Sequence, residues 1–435
     1  MLACHDWSRL TAAERAALLR RPAQRDAAEV ERAVAAIIAD VRARGDAALA
    51  DYTRRFDGVA PAALLVGDQE FAAAEAALPR AAHAALDAAI ANVTRFHAAQ
   101  RLAPLALETA PGVRCERLEV PIAAVGLYVP AGSAPLPSAA IMSAVPAALA
   151  GCPTRVLCTP PRPDGGADPA VLVAARRCGV GRVYKVGGAQ AIAALAYGTA
   201  TIPKVDKICG PGNAYVTAAK LQVARDPEGA ALDLPAGPSE VLVIADHTAR
   251  AAFVAADLLA QAEHDPAAQV ILVTTSAALA AAVVAEVARQ QATLSRRAIT
   301  ARALEASRAI VVADLETAFE VSNAYAPEHL LLEIEAPRAW LGRVSAAGSV
   351  FLGHWSPEPL GDYCSGTNHV LPTYGYARAF SGLALADFTK RITVQELTPA
   401  GLQALGPVAA TLAGLEGLDG HAQAVALRLA ALAPP

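Results

Sequence analysis

The stretch AAVGLYVPAGSAPLPS (123–138) holds the decisive pattern: a short apolar run, a turn rich in glycine and proline, then a serine at the head of an alanine-rich helix. Strand, glycine turn and helix in that order belong to a parallel sheet covered by helices. Outward from it, strand-like runs recur at 155–158, 182–186 and 205–208, each followed by a helical stretch. A second series occupies 241–244, 270–273, 310–312, 330–334 and 349–352. Two such series predict an α/β fold with two Rossmann-like units. Two more strand-to-helix turns of the first series, KVGGAQAIAALAYGT (185–199) and KVDKICGPGNAYV (204–216), are also glycine-rich. Glycine lets a ligand approach the backbone, and the helix that follows offers free N–H groups to a phosphate. Without a GxGxxG fingerprint, each turn by itself reads first as a tight connection. Three in one unit point to a nucleotide site.

The flanks read as helical. Thr11 and Glu14 have capping-box spacing, and Asp26 and Glu29 repeat it ahead of a face formed by Val30, Val34, Ile37, Ile38 and Val41. A helical region follows over much of 69–100, broken at Pro79, and a short helical tail is expected after Thr393. The chain of 435 residues is 54% apolar and 18% charged, with a formal net charge of -4. These values predict a large core and give no electrostatic reason for a nucleic-acid or membrane partner. Residues 134–150 carry Pro135, Pro137 and Pro146, a poor membrane span, and the first ten residues lack a signal peptide's apolar run. Seven scattered cysteines without a CxxC pair fit a reduced cytoplasm.

Chemistry-bearing residues gather in the second half. In LLAQAEHDP (258–266), Gln261 and His264 stand three apart at a helix end. In AYAPEHLLLE (324–333), Glu328 and His329 open a strand, where adjacent side chains are expected to diverge. A carboxylate and an imidazole there can serve as two proton-transfer groups. GDYCSGTNHVLPTYG (361–375) sets Asp362, Asn368 and His369 among glycines, expected as a long loop, and EGLDGHAQAVALR (416–428) places Glu416 and His421 at a helix start. Gln261, His264, Asp362 and His421 would make an N/O donor set suited to zinc or a neighbouring divalent metal, although spacing alone cannot assemble residues so far apart.

These segments, with LPAGPSEVLV (234–243), YTRRFDG (52–58) and LADFTKRITVQELT (385–398), resemble in content and order the histidinol dehydrogenase family over nearly the whole chain. The resemblance implies an aldehyde-dehydrogenase-like fold, an intertwined homodimer with shared active sites, and a zinc enzyme that uses NAD. It implies oxidation of L-histidinol to L-histidine through the aldehyde. By motif it assigns the metal to Gln261, His264, Asp362 and His421, and the acid–base pair to Glu328 and His329. Substrate contacts would add Ser239, His369 and Glu416 to these, and NAD contacts would be Tyr128, Gln190 and Asn213. The expected domains are a helical arm (1–22), a substrate and metal domain (23–124 and 239–380), a nested NAD-associated Rossmann-like domain (125–238) and a tail (381–435) swapped in the dimer. Two alternatives remain open from the residues: a metal-dependent hydrolase with the same ligands, and a thiol-using aldehyde dehydrogenase relative with Cys209 as nucleophile. Cys364 is given no role.

Overall fold

The computed structural model describes residues 2–21, 27–131 and 134–432; Asp26, expected to cap the second helix, lies outside them. The strands in chain order are β1 (Ala3–Asp6), β2 (Leu105–Ala110), β3 (Val113–Pro121), β4 (Ala124–Tyr128), β5 (Thr154–Thr159), β6 (Arg182–Lys185), β7 (Lys207–Cys209), β8 (Ala231–Leu232), β9 (Glu240–Ala245), β10 (Gln269–Thr274), β11 (Arg308–Val311), β12 (His329–Glu333), β13 (Ser349–Leu352) and β14 (Thr389–Leu397). They form a five-stranded parallel sheet, β6-β5-β4-β7-β8, a six-stranded parallel sheet, β1-β11-β10-β9-β12-β13, and a three-stranded antiparallel sheet, β14-β3-β2. Every run read as a strand in the sequence falls on one of the two parallel sheets.

The inner parallel strands β4, β9 and β10 are buried on both faces, as their continuous apolar composition requires. Val125 and Leu127 of β4 join one core cluster, with the helices Pro137–Ala150 and Pro169–Arg177, while Tyr128 joins another, with Ala27–Arg44 and Gly188–Tyr197. The six-stranded sheet repeats the arrangement: Val241 and Val243 pack toward the helices Ala251–Ala262 and Ala277–Gln291, Leu242 and Ile244 toward Leu315–Tyr325. At roughly 1.5–3 kcal/mol for each fully buried Val, Leu or Ile, these faces fix the register of both sheets.

The chain divides into two compact units, Met1–Gln100 with Ile122–Phe388, and Arg101–Pro121 with Thr389–Pro435. Three expectations need correction. The N-terminal arm is not wholly helical, because Ala3–Asp6 adds an edge strand to β11 before the expected helix Ala12–Leu18, whose Thr11–Glu14 capping box is formed. The helices of 27–98, expected beside residues 239–380, cover the five-stranded sheet, since their apolar faces match its two core clusters. Finally, the region around Thr393 is strand: β14 pairs antiparallel with β3 along nine residues before two helices, Pro399–Leu415 and Asp419–Ala431, pack on each other. Its alternation was masked because mostly exposed residues line both faces.

Candidate active site

His329 opens β12 and Glu240 opens β9, and Ser239 precedes Glu240, so this group stands at the amino edge of the six-stranded sheet. Helices that lead into the strands end at that edge. Leu315–Tyr325 stops at Ala326, which takes left-handed backbone angles (φ 55°), and Pro327 then blocks any helical continuation. The next two residues are Glu328 and His329, both buried.

Their side chains do not diverge as expected for neighbours on a strand: Glu328 Oε2 and His329 Nδ1 lie 3.6 Å apart. The reason is that Glu328 precedes the paired stretch and turns inward, accepting a hydrogen bond from Glu240 N at 2.8 Å. His329 Nδ1 lies 3.2 Å from the Glu240 carbonyl, which can only accept, so Nδ1 carries a proton. Nε2 is then directed at Asp362 Oδ1, 3.4 Å away. Burial disfavours the imidazolium, but Glu328, Asp362 and Glu358 outweigh it and raise the His329 pKa to about 10. Burial raises Glu328 to about 8 against the pull of His329. Asp362 would also rise on burial, but its hydrogen bond and charge interaction with His329 bring it down to about 2.

Asp362 belongs to a short helix, Glu358–Tyr363, whose Gly361 lets Phe351 pack closely: a Cβ there would lie 2.5 Å from the Phe351 ring. That ring flanks the His329 imidazole with centroids 6.0 Å apart. Glu358, one turn before Asp362, was not singled out in the sequence. The i, i+4 spacing of two carboxylates was the available signal, hidden by the proline and glycine that make EPLGDY read as a turn. Ligand atoms of His264, Glu358 and Asp362 all lie within 4.8 Å of one another, with His264 Nε2 4.0 Å from Asp362 Oδ2. Gln261 lies in the last turn of the helix Ala251–Ala262, buried, with neither amide atom hydrogen-bonded. Both carboxylate oxygens of Glu358 and Nε2 of His369 are also buried without a partner. Desolvation lowers the pKa of the partly exposed His264 and of the buried His369, favouring the neutral, ligand-ready form.

Buried polar atoms without partners are rare, and here they cluster with carboxylates facing one another as acceptors. A divalent cation with N/O ligands fits that donor set and that excess of negative charge. Asn368 orders the loop after Asp362 by donating to the Met142 carbonyl at 2.7 Å. Glu416 and His421 belong to the second unit, Glu416 capping the helix that ends at Leu415 and His421 in the first turn of Asp419–Ala431; both are exposed.

The residues assigned to NAD lie on the five-stranded sheet, at its carboxyl edge. Tyr128 ends β4, and its buried hydroxyl accepts from Gly188 N at 3.0 Å. Gln190 is buried in the first turn of Gly188–Tyr197, and its Oε1 has no partner. Asn213 caps Ala214–Arg225 after β7, accepting from Tyr215 N and Val216 N at 3.1 Å. Chain direction across the sheet reverses between β4 and β7, the switch point at which open sheets bind ligands. Gly210 is required there, since a Cβ would lie 2.1 Å from the Tyr128 carbonyl oxygen. Cys209 beside it is fully buried, and burial raises its thiol pKa well above normal, which removes the thiolate a nucleophile needs.

Two doubly wound parallel sheets, one with a switch-point crevice and the other with a buried carboxylate–imidazole cluster at its amino edge, have the architecture of an α/β enzyme. The histidinol dehydrogenase family model matches residues 19–429. Histidinol dehydrogenase of Xanthomonas campestris pv. campestris is 59% identical over 98% of this chain and 98% of its own, and that of Vibrio cholerae is 54% identical over 97% of each. The crystal structure of histidinol dehydrogenase from Elizabethkingia anophelis superposes with a TM-score of 0.94 at 44% identity, covering 99% of this chain and 98% of that one. This chain belongs to the histidinol dehydrogenase family. Among the described residues no helix is long and apolar enough to cross a membrane.

Proposed function

We propose that the protein carries out the four-electron oxidation of L-histidinol to L-histidine through the aldehyde, the last step of histidine biosynthesis, with NAD as hydride acceptor and one zinc ion per subunit. The observation that carries this reading is the buried Glu328–His329 pair set against the unpartnered donors of Gln261, Glu358 and His369 and the carboxylate of Asp362. Gln261, His264 and Asp362 would hold the cation together with His421, and Glu358 stands beside them as a further carboxylate. When bound, zinc supplies positive charge that fixes the substrate's nitrogen donors and offsets the carboxylates around His329, favouring a neutral imidazole.

In that form Nε2 of His329 takes the proton of the substrate hydroxyl while hydride leaves the same carbon. Glu328 draws a proton from the water that adds to the aldehyde, and His329 serves again in the second oxidation. Tyr128, Gln190 and Asn213 line the NAD side, and Ser239, His369 and Glu416 complete the substrate contacts. NADH absorbance should appear when histidinol and NAD are added, vanish after chelation, and return with zinc. A verified metal-free sample with full activity would overturn the zinc assignment, and histidinol without NADH formation would overturn the function.

Glu416 and His421 belong to the unit formed by Arg101–Pro121 and Thr389–Pro435, and we assign them to the active site of a second copy in a homodimer. His329→Ala and His421→Ala should each be inactive alone. Refolded together in equal amounts they should recover roughly a quarter of wild-type activity, because mixed dimers hold one undamaged site. A mixture that stays inactive would show that the tail serves its own chain.

A further inference from the structure

Arg21 lies just beyond the N-terminal helix and takes no part in the chemistry above, yet it touches two of the segments that hold the catalytic pair, Glu240 and Tyr325–Ala326. Its Nη2 donates to Glu240 Oε2 at 2.9 Å, to the Tyr325 carbonyl at 2.8 Å and to the Ala326 carbonyl at 3.2 Å, while Nε donates to Glu240 Oε1. The guanidinium lies 4.0 Å from the Tyr325 ring centroid. Glu240, itself buried, also accepts from Tyr374 N at 2.9 Å, near the end of the loop that follows the helix Glu358–Tyr363. Its own backbone N–H and C=O are the two groups bonded to Glu328 and His329.

Beside the backbone pairing with Ser349, two routes to the catalytic dipeptide therefore pass through one guanidinium. On one side stands Glu240, whose backbone orients Glu328 Oε2 and the His329 ring. On the other stands Ala326, two residues before Glu328, in a left-handed conformation that an L-residue adopts only when its surroundings hold it there. We propose that Arg21 is a positioning residue for the reaction: by clamping Glu240 to the Tyr325 and Ala326 carbonyls, it sets where Glu328 and His329 stand. The planar fork is essential to this, since a lysine ammonium cannot meet both carboxylate oxygens and both carbonyls at once.

The inference rests on the oxidoreductase reading, and the experiment separates the two. In Arg21→Ala, kcat for histidinol should fall by about 10- to 100-fold, the scale of a slight misplacement of reacting groups. KM for histidinol and for NAD should stay within about twofold of wild type, as expected when uniform binding is untouched. Zinc content should be unchanged, and added guanidinium should restore kcat saturably. In a Glu328→Gln, His329→Asn double variant, removing Arg21 should add less than about twofold to the remaining loss, because it acts through those two side chains. A wild-type kcat, or a loss that adds fully to that of the double variant and is not rescued by guanidinium, overturns the proposal. If Arg21→Ala is not recovered folded, Arg21→Lys decides. A roughly tenfold lower kcat at unchanged KM and zinc content supports the clamp, and wild-type kcat refutes it. Absence of NADH formation by the wild-type protein would instead sink the functional reading.

Discussion

The two parallel sheets are built alike but offer their chemistry at opposite edges. On the five-stranded sheet the candidate residues follow the strand ends: Tyr128 closes β4, and Gln190 and Asn213 stand where helices begin. On the six-stranded sheet they precede the strands: His329 opens β12, Glu240 opens β9, and Gln261 lies in the last turn of the helix that leads toward β10. In a βα repeat the carboxyl edge is ringed by helix N-termini and the amino edge by helix C-termini. The first carries partial positive charge and free N–H groups, which suits a phosphate-bearing nucleotide; the second carries partial negative charge, which suits a cation. The same architecture therefore yields two kinds of site, depending on which edge bears the side chains.

Substitutions can break that contrast in order of effect. His329→Asn should slow both oxidations by about 10²–10⁴-fold, the scale of a lost general base, and leave zinc content near wild type. Steady-state rates with histidinol and with the aldehyde check it, and near-normal rates with both would refute the assignment. Glu328→Gln should fall chiefly on the aldehyde-to-acid half, so that histidinol oxidation stalls with aldehyde accumulating. Equal losses in both halves would show that Glu328 and His329 act as one unit.

At the other edge the changes should be smaller. Tyr128→Phe removes the acceptor of the Gly188 N–H, a bond worth about 1 kcal/mol, and should raise KM for NAD roughly three- to tenfold while KM for histidinol holds. Cys209→Ala, one strand away, should leave the rate within about twofold, because a buried neutral thiol is packing material. An inactive, folded and zinc-loaded Cys209→Ala protein would revive the thiol mechanism.

The α/β class and the strands of both parallel sheets were legible because buried parallel strands are short runs of apolar residues bounded by turns. Strands with exposed faces were not: ACHD at the N-terminus and TKRITVQEL near the C-terminus carry charge where an apolar signal is sought. The site was legible residue by residue but not as an assembly. Glu328–His329 and Gln261 with His264 are local pairs, whereas Arg21 meets Glu240 only through the tertiary fold, and no sequence spacing announces such a contact. Glu358 lies between, recoverable from its i, i+4 relation to Asp362 but disguised by its neighbours.

The second compact unit has a consequence for how the chain matures. Its central strand β3 pairs on one side with β2 through a tight hairpin and on the other with β14, where Pro121 meets Thr389 across the whole of 122–388. The hairpin is local and fast, but the long-range pairing must wait for the intervening chain. The entropy of closing that loop grows only slowly with its length, so the delay is kinetic more than energetic. Until β14 arrives, β3 presents an open edge of nine residues with unpaired N–H and C=O groups. During synthesis and refolding, that edge is open to pairing with the wrong strand.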